Sequence, residues 1–506
     1  MTIARTQAVA LTGLRGQLVE IQADLAGGLP GLHFTGLPDV SVVEARDRIR
    51  AAVVNSGIPW PDRKITLALL PADVRKVGSR FDLALAMAVL AAAGVVGGEP
   101  VAGAVWLAEL GLDAKLRPVR GVLPAVIAAR QAGVSRVVVA EANGPEAALV
   151  TGVDIRTASD LTEILGWLGG SGPPLRRAAP GDRVDPPDPL DLADVTGQVI
   201  AKRGLELSAA GGHHLYLLGA PGAGKTMLAE RLPGLLPPLE EAAALEVTAV
   251  HSVAGALAGA AGMIKRPPMQ APHHTASVAA LVGGGSGLAR PGAISLAHHG
   301  VLLLDEAPEF SAAAIEALRQ PLESGEVVIH RSLGAVRYPA RFQLVIAANP
   351  CPCGRRGRDC TCAPQARRRY IQRLSGPLLD RVDVRVYMDP LSRAELTGPR
   401  GQDEDSATVA ARVRDARAVA AQRWSEYGWQ LNASVTASVL WATGWRLPRS
   451  VLAVAEAHAE RGELSARGLD RVLRMSWTIA DLAGRTSPNA DDVAEALFFR
   501  SGRNLT

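Results

Sequence analysis

The residues with the clearest chemistry follow a short apolar run. Gly219, Ala220, Pro221, Gly222, Ala223, Gly224, Lys225 and Thr226 satisfy G-x-x-x-x-G-K-[ST] at every position. Glycines there let backbone N–H groups curl around phosphate oxygens. Lys225 offers a cation to the β- and γ-phosphates and Thr226 a hydroxyl to Mg²⁺, so ATP and Mg²⁺ are the expected cofactors. Downstream, Val301-Leu-Leu-Leu304 runs into two carboxylates. Asp305 is expected to complete the Mg²⁺ shell and Glu306 to polarise the attacking water. A third apolar run, Gln343 to Ala348, ends in Asn349, whose carboxamide can orient that water. The competing reading of Asn349 is a turn former ahead of Pro350.

Two further cations lie late in the chain. Arg381, in Leu378-Leu-Asp-Arg-Val-Asp383, is placed to project into a neighbouring subunit and stabilise transition-state charge. The alternative is a surface ion pair with Asp380 or Asp383. Arg467 is the candidate arginine sensor of a helical region, with Arg471 and Arg474 one and two turns on.

All four cysteines, Cys351, Cys353, Cys360 and Cys362, fall within one short stretch. Four thiolates at that spacing suit tetrahedral Zn²⁺, although C-x-C is tighter than the common C-x₂-C. Arg355, Arg356 and Arg358 between the pairs favour thiolates. The bland alternative is four free thiols. Val327–His330 and Ala335–Tyr338 around Ser332-Leu-Gly334 read as a hairpin, with Arg331 and Arg337 able to track phosphates. The paired histidines His273/His274 and His298/His299 read as structural hydrogen-bonding groups rather than metal ligands.

These groups need elements to position them. The 506 residues exceed the length of one core, so several domains are expected. Residues 1–170 alternate β-like runs (Gln17–Ala23, Lys64–Leu69, Arg136–Ala140) with helical ones (Val40–Asn55, Phe81–Ala93), an α/β unit. Residues 171–190 hold six prolines and read as a linker. Residues 191–390 carry the apolar runs of a parallel sheet, with 255–292 read as an insertion. Residues 391–506 read as helices, over Ala407–Tyr427 and Arg449–Leu497. The net charge of +4 permits a polyanionic partner without requiring one. No secretion signal or membrane-length apolar run is present, so a cytoplasmic protein with no membrane partner is expected.

Together the motifs resemble the magnesium-chelatase-like AAA+ proteins of the YifB/ComM family. The phrases that carry the resemblance are Ala271-Pro-His-His-Thr-Ala-Ser277 with Gly283-Gly-Gly285, Arg290 to Ala297, Ala348-Asn-Pro-Cys-Pro-Cys-Gly354, Leu374 to Arg381, and Thr478 to Gly484. The resemblance runs over essentially the whole chain. It implies an α/β fold: an AAA+ P-loop NTPase core, a C-terminal helical lid and an N-terminal α/β domain. It also implies a homohexamer, with ComM proteins acting as DNA helicases that drive branch migration in natural transformation.

The N-terminal block resembles the Lon protease catalytic domain. Leu110 to Gly121 is similar to the strand pair carrying the Lon lysine, and Lys76 to Asp82 to the loop carrying the Lon serine. Register puts Arg80 where the serine belongs and Leu123 where the lysine belongs. Ser79 is one place early and Lys115 precedes the strand. A Ser–Lys dyad needs both groups within hydrogen-bond reach, so the domain reads as non-catalytic. The expected function is an ATP-driven DNA translocase. Its rivals are a magnesium-chelatase motor that remodels a protein partner and an ATP-dependent protease.

Overall fold

The computed structural model describes residues 3–181, 190–257, 262–285, 289–331, 334–355, 360–374, 376–391 and 403–501; the Arg331 side chain is not described. Arg356, Arg358, Ser332 and Leu333 lie outside the described residues.

The N-terminal sheet has eight strands. In spatial order they are Arg176–Arg177, Asp154–Ala158, Arg136–Ala140, Ala104–Leu107, Ala4–Thr12, Arg15–Ala26, Lys64–Leu70 and Gly31–Thr35. The helix Val40–Asn55 starts where the Asp39 carboxylate accepts from the Val42 amide at 2.9 Å. Asp82–Ala92 is apolar on all sides after its first residue, and Leu83 to Leu90 are fully buried. The stretch expected to be all linker departs from that reading. Arg176–Arg177 pairs antiparallel with Thr157 and Arg156, closing the edge of this sheet. Two residues carry no periodicity, so only a partner strand reveals them.

The second sheet is parallel, in the order Met269–Gln270, Val301–Leu304, Gln343–Ala348, Leu215–Gly219, Val384–Met388. Its three central strands are buried throughout, as sheets covered on both faces must be. Alternate side chains enter two different cores. Leu215, Leu217, Leu303 and Val345 pack with Val472 and Ile479 of the C-terminal helices. Tyr216, Leu218, Leu304 and Ile346 pack with Ile329 and Val336 of an antiparallel hairpin. That hairpin is Glu326–Arg331 with Gly334–Pro339, where the turn chemistry places it. The segment read as an insertion supplies the edge strand Met269–Gln270, so part of it belongs to the sheet.

The C-terminal helices are Ser406–Arg423, Arg449–Glu460, Ala466–Leu482 and Ala490–Ser501. The two sheets are joined through the helix Glu241–Ala254. Its Ala249 shares a core with Leu123 and Val126, and the Gly121 amide donates to Ser252 O at 3.2 Å. No helix among the described residues is long and apolar enough to cross a membrane.

Candidate functional site

The strand Leu215–Gly219 delivers the glycine-rich turn to the carboxyl end of the parallel sheet, between Gln343–Ala348 on one side and Val384–Met388 on the other. Gly222 and Gly224 take φ of 79° and 88°, a region closed to most side chains, and the helix Lys225–Ala229 follows. Lys225 is 8% exposed. Its Nζ donates to Gly219 O at 2.9 Å, Ala220 O at 3.0 Å and Asn349 Oδ1 at 3.0 Å. Burial pulls its pKa below the ordinary lysine value, and the carboxylates of Asp305 and Glu306 oppose that shift. Thr226 Oγ1 donates to Asp305 Oδ2 at 2.7 Å. Glu306 sits at φ 49°, half-exposed, its amide donating to Asp305 Oδ1 at 2.8 Å. Motif residues far apart in sequence therefore converge at the ends of three adjacent strands.

Two residues of this site escaped the sequence reading. His274 Nδ1 lies 3.2 Å from Glu306 Oε2, so one of the paired histidines touches the carboxylate expected to activate water. Its signal was the Ala271–Ser277 phrase, whose histidines were read as structural. Gln198, at φ 54°, donates from Nε2 to Asp389 O at 2.7 Å and Ala223 O at 3.3 Å, supporting the turn from behind. Nothing in its surroundings in sequence marks it.

Arg381 and Arg467 are elsewhere. They line a cavity of about 260 Å³ with Arg471, Arg474, His214 and Asp383. His214 precedes the strand Leu215–Gly219 and Asp383 precedes Val384–Met388, so this cavity opens at the amino ends of the strands, opposite Lys225. Arg381 pairs with Glu323, not with Asp380 or Asp383, and donates to Pro377 O at 2.7 Å. Burial, then the charges of Arg319, Arg471 and Arg467, lower its pKa. Arg471 is committed to Asp383 and donates to Arg381 O at 2.9 Å. Burial pushes the Asp383 carboxyl up, but Arg471 and His213 hold it well below the carboxylate range. The Nε atoms of Arg471 and Arg474 are buried with no hydrogen-bond partner among the described residues. Arg467 takes part in none of the ion pairs found there.

The four cysteine sulfurs converge, with Cys351 Sγ 3.3 Å from Cys353 Sγ and 3.5 Å from Cys360 Sγ; all four ligand atoms lie within 4.8 Å of one another. Glu246, His298 and His299 also cluster. His298 Nδ1 accepts from the Arg341 amide at 3.0 Å, which leaves Nε2 to donate to Glu246 at 3.1 Å. A protonated Nε2 cannot ligate a metal, in keeping with the structural reading of these histidines.

A parallel-sheet core with such a site at its strand ends is consistent with an AAA+-like domain in an α/β protein. Family models describing the magnesium chelatase subunit ChlI match residues 191–396 and 21–143, and one for the ChlI C-terminal region matches 403–500. An uncharacterized protein of Mycobacterium tuberculosis is 52% identical over 501 residues, 99% of each chain. Competence protein ComM of Haemophilus influenzae is 40% identical over 508 residues, covering 99% of this chain and 98% of the relative. YifB of Escherichia coli is 38% identical over 510 residues, covering 99% and 97%. The chain belongs to the YifB/ComM family of magnesium-chelatase-like proteins, and that membership suggests ATPase activity. Part of the chain is also 30% identical over 169 residues to Lon protease of Mycolicibacterium smegmatis, which is 31% of this chain and 21% of that protein.

Proposed function

We propose that the protein is an ATP-hydrolysing ring motor that moves DNA, a branch-migration translocase of the ComM kind. Residues 219–226 bind the triphosphate, Thr226 and Asp305 hold Mg²⁺, Glu306 activates water and Asn349 orients it. The observation that carries this reading is the contact set Lys225–Asn349 and Thr226–Asp305 at one end of the sheet, with a cation-rich cavity at the other. A chain with acceptor and donor halves of one site on opposite ends completes that site by head-to-tail packing, which forms a ring where the rotation between neighbours closes. Arg381 and Arg467 then act on the ATP of a neighbour. The hexamer and the DNA partner rest on the family resemblance, and the hairpin with Arg331 and the exposed Arg337 is the channel contact. The division into 1–170, 171–190, 191–390 and 391–506 belongs to the same reading, with the first unit extended through Arg177.

The Lon-like domain is read as non-catalytic. Leu123 is fully buried in one core with Ala249, and a Cβ built on Gly121 would stand 3.3 Å from Val253 Cγ2, so the helix Glu241–Ala254 packs against the segment that would carry the lysine. The test is ATP turnover by purified protein with and without single-stranded and branched DNA. Stimulation by DNA, and a Glu306→Gln protein that binds ATP with little turnover, are expected. Turnover indifferent to DNA would favour the chelatase-type motor instead.

A further inference from the structure

We propose that Cys351, Cys353, Cys360 and Cys362 hold one zinc-class divalent cation, and that the loop this ion closes braces the phosphate loop in its nucleotide-accepting shape. The second half rests on the reading of residues 219–226 as the ATP site. The donor set fits: four thiols, all free, with sulfur separations of 3.3, 3.5 and 3.6 Å. Zn–S bonds of about 2.3 Å in a tetrahedron place sulfurs about 3.8 Å apart, close to this spacing.

The loop grips the nucleotide site at two points. Cys351 follows Asn349 by two residues, and Asn349 Oδ1 accepts from Lys225 Nζ. On the other side, Gly354, at φ 71°, lies flat against Pro221 of the phosphate loop. A Cβ there would stand 2.5 Å from Pro221 Cγ and 2.7 Å from Cδ, well inside contact. The Gly354 amide donates to Cys351 O at 2.9 Å, so the glycine is fixed by the same knuckle that carries the sulfurs. Losing the ion lets the sulfurs spread, withdraws Gly354 from Pro221 and loosens the chain leading back to Asn349.

The experiment uses the full chain purified without chelators. Zinc is released with a mercurial reagent and counted with a metallochromic dye; about one per chain is expected. After the mercurial is removed with excess thiol and dialysis, binding of a fluorescent ATP analogue is compared among untreated protein, stripped protein with Mg²⁺ in excess, and stripped protein given back zinc. Affinity should fall about tenfold or more on stripping and recover with zinc, the recovery excluding simple unfolding. Gly354→Ala should keep its zinc yet bind the analogue more weakly. Lys225→Ala should lose the analogue and keep its zinc. Protein without zinc overturns the site. Unchanged nucleotide affinity in stripped or Gly354→Ala protein overturns the brace. Full affinity in Lys225→Ala overturns the ATP-site reading beneath it, with the zinc count standing apart.

Discussion

Replacing Arg381 with alanine gives the sharpest test of assembly. The strand Leu215–Gly219 has five residues, so its two ends are about 13 Å apart. Arg381 lies at the foot of that strand, where the amides of Asp383 and Val384 donate to His214 O, and Lys225 lies beyond its head. On the proposed placement of ATP, Arg381 stands at the opposite end of the sheet from the triphosphate of its own chain. The substitution removes an ion pair to a largely exposed Glu323, worth about 0–1 kcal/mol, so folding and ATP affinity should hold. An arginine finger supplied between subunits contributes about 10³-fold or more to kcat, roughly 4 kcal/mol of transition-state stabilisation. ATPase kinetics should therefore show kcat collapsing with KM little changed. Lys225→Ala should instead abolish binding. Mixed in equal parts and assembled at random, the two variants join an intact Lys225 to an intact Arg381 at about a quarter of interfaces, so about a quarter of the activity should return. No recovery in mixtures shown to form joint rings would refute action between subunits. So would an Arg381→Ala protein that fails to bind ATP.

Acid should destabilise the ATPase core through His298, which burial, then His299, lowers from 6.5 to about 4. Its folded form stays neutral where the unfolded chain takes up a proton, so stability is full above pH 6.5 and is lost as pH falls toward 4. Between about pH 7.5 and 5 the loss is about 2 kcal/mol, read from urea unfolding at the two pH values; His298→Asn should flatten the dependence, and an equal slope would discount this residue. Arg331→Ala and Arg337→Ala should keep basal hydrolysis but lose stimulation by DNA and bind DNA with a shallower salt dependence. Full stimulation in both would remove the hairpin from the channel. The N-terminal domain should not cleave an unfolded casein-like substrate with or without ATP; cleavage that Ser79→Ala abolishes would show the register at Arg80 and Leu123 to be wrong.

What the sequence disclosed depended on the length of each signal. Val301–Leu304 and Gln343–Ala348 appear where their unbroken apolar runs put them, because a strand buried on both faces announces itself by composition. The phosphate loop was legible because its chemistry fixes residue types at fixed offsets. Met269–Gln270 and Arg176–Arg177 were not, since a two-residue strand is defined by its partner. The cavity of Arg381, Arg467, Arg471 and Arg474 was half legible. Each arginine was singled out, but their meeting depends on how the helix Ala466–Leu482 packs on the sheet, and spacing along a chain does not encode that. The four cysteines converge as their spacing implied. The link from His274 to Glu306 spans a segment read as an insertion, so no local pattern predicted it.

The seat of the helix Glu241–Ala254 bears on whether the N-terminal domain, on its proposed likeness to Lon, could support peptidase chemistry. Two barriers stand in series. On the proposed Lon register Arg80 and Leu123 stand at the dyad positions, and the helix packs against this region, tied by Ser252 to Glu146 and to the Gly121 amide. Glu146 also accepts from the Leu123 amide at 2.9 Å, so the lysine position and the docked helix share one carboxylate. Arg80→Ser combined with Leu123→Lys would set both groups beside that docked helix. Displacing the helix would expose side chains that, on that register, cannot react. Glu146 therefore ties position 123 to the docked helix through a single carboxylate, so a substitution at either end of that link is felt at the other.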